Sequence, residues 1–71
     1  MPRYCVNTQA QAKSGDHEVH DLASTYGCLP NPEHRRDLGY HPTCREAVAA
    51  AKQVYRDSNG CYHCARPCHT T

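Results

Sequence analysis

Apolar and polar positions alternate at the start of the chain. In Arg3-Tyr4-Cys5-Val6-Asn7, Tyr4 and Val6 share one face of a strand and Cys5 takes the other. Residues 8–16, T-Q-A-Q-A-K-S-G-D, are polar and close on Ser-Gly-Asp, a turn signal. Residues 17–22, H-E-V-H-D-L, read as a second strand, so the first two form an antiparallel hairpin with a long polar connection. Pro30 and Pro32 are too close together for regular structure in residues 23–34. Residues 35–40, R-R-D-L-G-Y, read as a third short strand.

The period then changes from two to that of a helix. Thr43 is an N-cap and Glu46, three residues on, completes a capping box. In the alanine-rich run that follows, Cys44, Ala47, Val48, Ala51, Val54 and Tyr55 fall on one face. Asn59-Gly60 reads as the stop, with Gly60 as a left-handed cap that hands the chain to Cys61. The pattern therefore predicts an α+β fold, a two- or three-stranded antiparallel sheet plus one helix. It forms one domain over residues 1–71, with flexible ends at 1–2 and 66–71.

Composition makes this core inadequate by itself. Phe, Trp and Ile are absent, and the three Leu and four Val residues are about 10% of the chain, under the roughly 20% at which disorder becomes the expectation. A chain of 71 residues with so little apolar volume needs a staple. Six Cys and six His supply the candidates. No stretch reads as a signal peptide or a membrane span, which points to a cytoplasmic protein with reduced thiols, and so to metal rather than disulfides. A net charge of +1 gives only a weak global field for nucleic acid.

Cys61-x-x-Cys64 is the strongest chemical signal, because two thiolates at this spacing can grip one ion and zinc favours four sulfur or nitrogen donors. Ala65 after Cys64 excludes c-type haem attachment. A thioredoxin-like pair needs a helix N-terminus, and Cys61 is expected after a helix C-terminus. Two donor sets remain. The local one is Cys61, Cys64, Cys68 and His69, in which Cys68 and His69 are adjacent and their side chains diverge. The preferred one joins His20 and Cys28 to Cys61 and Cys64 and clips the two halves of the chain together.

His17 and His20 point to opposite faces of a strand, so one ion cannot take both, and His17 reads as a surface residue. H-E-V-H is one residue too short for the metalloprotease H-E-x-x-H. Cys44 and Cys5 read as small buried apolar groups. Cys44, Cys68 and His69 stay as candidates for a second site. His34, His41 and His63 read as surface residues.

The succession of a hairpin ending in His20 and then Cys28, a proline-bearing loop into R-R-D-L-G, a capped alanine-rich helix and G-C-x-x-C resembles the small metal-binding module of the Ada DNA-repair family, over roughly residues 15–64. By position the resemblance implies His20, Cys28, Cys61 and Cys64 as zinc ligands. Seven residues separate His20 from Cys28 where three or four are usual, so D-L-A-S-T-Y-G must bulge. The Cys68-His69 tail has no counterpart in that module. The family's methyl-acceptor chemistry rests on a four-cysteine site, and a His in the set argues against it. The chain also looks like short bacterial and phage-associated proteins with G-D-H-E-V-H early and N-G-C-x-x-C-x-x-x-C-H-T at the end.

These features lead to the expectation of a monomeric, non-enzymatic zinc module that binds a protein or nucleic acid and no membrane. Arg35, Arg36, Arg45, Lys52, Arg56 and Arg66 are its candidate basic patch. Two other classes stay open: a metal-thiolate alkyl acceptor or redox protein using Cys64 or Cys68, and a secreted miniprotein with three disulfides.

Overall fold

The structure, a computed structural model, describes residues 1–70. Strand β1 spans Arg3–Asn7, β2 His17–Asp21 and β3 Arg35–Tyr40. Helix α1 spans Cys44–Lys52, and a fourth strand, β4, covers Ser58–Gly60. Single 3-10 turns form at Pro32–His34 and Arg66–Cys68. The first begins on a proline, which supplies the helical φ and gives up an N–H that would have no partner there.

The α+β class follows as the hydrophobic pattern predicts, but the sheet has four strands in the order β3-β1-β2-β4 and is mixed. β1 lies antiparallel to β2 and β3, whereas β4 runs parallel to β2. The expected all-antiparallel sheet of two or three strands is thus corrected by an edge strand of Ser, Asn and Gly, whose side chains carry no period to read. In the hairpin, Val6 faces Val19 and Cys5 faces His20. Directly opposed residues share a face, so the two valines mark one side of the sheet and Cys5 with His20 the other. On β3 the register skips Leu38 between Gly39 and Asp37. Gly39 takes φ +80° at this bulge, and Leu38 packs against the core.

Helix α1 starts where the capping signal places it. The Thr43 hydroxyl accepts from the Arg45 N–H at 3.2 Å and donates to the Glu46 carboxylate at 2.6 Å. Substituting Thr43→Ala is expected to lower stability by about 1 kcal/mol, read from chemical denaturation. Ala47 and Ala51, four residues apart and fully buried, bring the helix axis close to the sheet. Tyr4, Val6, Val19, Cys44, Ala47, Ala51, Cys61 and Ala65 form the core. Few of these side chains are large, as the composition requires.

The helix ends at Lys52, well before Asn59-Gly60, and this corrects the expected stop. Its last turn tightens, with the Ala51 carbonyl accepting from Val54 and Tyr55. Val54, expected on the apolar face, is exposed. Tyr55 stacks on His17 with ring centroids 3.9 Å apart, and the His17 N–H donates to the Asp57 carbonyl at 2.7 Å. These contacts swing the chain back along β2 and set the parallel pairing of β4. His17 is therefore a half-buried anchor, not the surface residue its spacing suggested.

Thr71, the last residue of the stretch expected to be flexible, lies outside the described residues. Thr70 donates from its N–H to the Asn59 side-chain oxygen at 3.1 Å, and the His41 N–H donates to the Pro2 carbonyl at 3.0 Å.

Candidate metal centre

Three segments deliver four side chains that could hold a metal ion to one place. His20 comes from β2, Cys28 from the loop after it, and Cys61 and Cys64 from the turn after β4. One donor atom from each lies within 4.8 Å of every other. The parallel pairing of β4 with β2 creates this meeting, because the Cys61 N–H donates to the Val19 carbonyl at 2.9 Å beside His20. Beyond Cys61 the chain folds into a turn in which the Ala65 N–H donates to the Cys61 carbonyl at 3.0 Å. Backbone amides of His63 and Cys64 approach the Cys61 sulfur, and they favour its thiolate.

The long gap between His20 and Cys28 is taken up by a loop with internal hydrogen bonds. The Asp21 carboxylate accepts from the Ala23 N–H at 2.9 Å, and the Ser24 hydroxyl accepts from the Tyr26 N–H at 3.2 Å. Gly27, at φ +74°, turns the chain just before Cys28. Arg35 Nε donates to the Pro30 carbonyl at 2.7 Å and ties down the far side of this loop.

Burial dominates the electrostatics. His20 and Cys61 are each 1% exposed. Desolvation, reinforced by the Arg35 guanidinium, lowers the His20 pKa to about 4 and keeps the ring neutral, the form that donates to a metal. Desolvation raises the Cys64 thiol to about 12 and pushes Cys61 upward as well. Without a cation these sulfurs hold their protons at neutral pH, so a divalent ion must displace protons on entering.

Once the fold opens, His20 takes a proton more readily than in the folded chain, where its pKa is lowered to about 4. Stability of the metal-loaded protein therefore falls as pH drops from about 6.5 towards about 4. Denaturation midpoints measured across this range without a chelator check the sign.

His20 Nδ1 lies 3.5 Å from Cys64 Sγ, close to the roughly 3.6 Å that tetrahedral zinc sets between a nitrogen and a sulfur ligand. Its other nitrogen, Nε2, lies 3.8 Å from a Glu18 carboxylate oxygen. That separation is too long for a hydrogen bond, so Glu18 sets a negative charge near the imidazole without fixing its orientation. Glu18 and Arg35 were missed in the sequence as parts of the site. Glu18 had a signal, because residues two apart on a strand share a face.

The local donor set does not assemble. Cys68 is bonded to Cys44 in a disulfide, with Cα atoms 6.2 Å apart, which corrects the expectation that all the thiols are reduced; Cys5, Cys28, Cys61 and Cys64 are free thiols. His69 Nδ1 meets the Gly60 carbonyl at 3.0 Å. Cys44, Cys68 and His69, named as further candidate ligands, therefore lie outside the four-residue group. Cys5 is fully buried opposite His20, its thiol raised to about 11 by desolvation, and it also stands outside that group. Among the other histidines, His63 is exposed, His34 is half-buried and His41 Nε2 contacts the Leu38 carbonyl at 2.7 Å.

Since Cys61 follows a short strand and not a helix end, the dipole argument against thioredoxin chemistry does not apply to it. Among the described residues no helix is long and apolar enough to cross a membrane. No protein-family model, curated protein or solved structure matches the chain.

Proposed function

We propose that the protein is a small intracellular module held together by one zinc ion on His20, Cys28, Cys61 and Cys64, with a non-enzymatic role in binding a macromolecule. The observation that carries the metal reading is the convergence of one imidazole and three thiols from segments far apart in sequence. Sulfur and nitrogen donors suit zinc and exclude the hard cations calcium and magnesium. Four protein donors also fill a tetrahedron, leaving no position for water or substrate, and that is the pattern of structural rather than catalytic zinc. When bound, the ion offsets the thiolate charge and cross-links β2, the loop at Cys28 and the turn after β4.

The order of donors supports kinship with the Ada-type module, which we include in the proposal. Arg45, Lys52 and Arg56 line two grooves that share Lys52, and they are the basic residues best placed to meet a partner. Native mass spectrometry with and without a chelator tests the zinc reading. One zinc per chain, lost on chelation, is expected. No metal, or two, overturns it.

A further inference from the structure

Cys44 and Cys68 lie outside the candidate metal-binding group, and both line a groove of about 620 Å³. A space of that size suits a small molecule. Its wall comprises the α1 side chains Arg45, Val48 and Lys52 on one side and Pro67 with Cys68 on the other. Two cations, Arg45 and Lys52, line the same groove as the disulfide. The acid closest in sequence, Glu46, is absent from the lining and accepts the Thr43 hydroxyl instead.

The two sulfurs differ in setting. Cys44 is the first residue of a nine-residue helix and is nearly buried, whereas Cys68 is half-buried in a 3-10 turn. A thiolate at the start of a helix is stabilised by the unpaired N–H groups there. In thiol–disulfide exchange the sulfur that is the better thiolate leaves, and the more accessible one is attacked.

We propose that the Cys44–Cys68 disulfide is a thiol-exchange site for a small anionic thiol. The incoming thiolate attacks Cys68 Sγ. A new S–S bond forms between Cys68 and the small thiol as the Cys44–Cys68 bond breaks, and the electron pair of the broken bond goes to Cys44 as thiolate. No net oxidation or reduction occurs. The Cys44 thiolate can return to Cys68 and expel the small thiol, which makes the step reversible. Arg45 and Lys52 select for negative charge on the entering molecule. The proposal does not depend on the metal reading, because neither cysteine belongs to that group.

The test treats the full-length, folded protein with glutathione, an anionic thiol, and in parallel with cysteamine, a cationic one. Adducts are counted by intact mass, and fragment masses locate them. Rates are expressed per thiolate, and circular dichroism monitors the fold. The expected result is a single adduct on Cys68, formed about tenfold faster with glutathione. The preference should collapse to about one in the Arg45→Gln, Lys52→Gln double variant and at high salt. Both substituted residues are exposed, so the variant keeps the fold. An adduct on Cys44, equal rates for the two thiols in the unsubstituted protein, or no adduct until the protein unfolds would overturn the proposal.

Discussion

Addition of a strong chelator to the metal-loaded protein is expected to abolish its cooperative thermal transition. Structural zinc contributes about 10–16 kcal/mol in small domains, and whole domains are stable by about 5–15 kcal/mol. The rest of this core cannot make up such a loss. Its fully buried side chains are led by one histidine, two valines and two cysteines, and two of these five are metal-binding candidates themselves. The Cys44–Cys68 bond spans 24 residues and is worth about 3 kcal/mol by chain-entropy arithmetic. Chelation should therefore leave a collapsed, non-cooperative chain with one internal cross-link. Cys64→Ser should reproduce this state without a chelator, because the substituted site loses a thiolate donor. Circular dichroism against temperature provides the readout, and an unchanged transition in either experiment would contradict a structural role for the ion.

The second large effect is expected from Gly60→Ala. Gly60 has an ordinary backbone conformation, so strain in φ is not the reason. A Cβ there would stand 2.7 Å from both the Ala65 carbonyl oxygen and the Cys68 Cβ, and 2.8 Å from the Cys68 carbonyl carbon. Most of these atoms belong to backbone, and the disulfide fixes Cys68, so none can swing aside. Overpacking of this kind typically costs about 1–3 kcal/mol. Relief would have to come from moving the turn that carries Cys61 and Cys64, so metal affinity should fall with stability. Denaturant titration and a competitive metal-binding assay on the same variant measure both. A variant that keeps full metal affinity would show that the turn is not held by this contact.

The hairpin, the third strand and the helix start could be read from alternation and from the Thr43–Glu46 pair, because these depend on neighbours in sequence. The four candidate ligands were legible for a different reason: Cys61-x-x-Cys64 is a local signature, and the weak core required its partners to be distant. What failed was non-local. Ser58-Asn59-Gly60 is a strand only because the Tyr55–His17 stack returns the chain to β2, and no periodicity encodes that. The same stack ends the influence of the helical pattern early, so Gly60 serves close packing and not a helix cap. Cys44 has the spacing of an apolar helix residue and does pack in the core. Its bond to Cys68 depends on where the tail returns, and no spacing rule gives disulfide connectivity.

X-ray absorption at the zinc edge of the loaded protein tests the central claim most directly. Three sulfur scatterers at about 2.3 Å and one nitrogen at about 2.0 Å are expected, with the nitrogen shell lost in His20→Ala. Four sulfurs, two sulfurs with two nitrogens, or an oxygen shell from water would contradict a closed site built from His20, Cys28, Cys61 and Cys64.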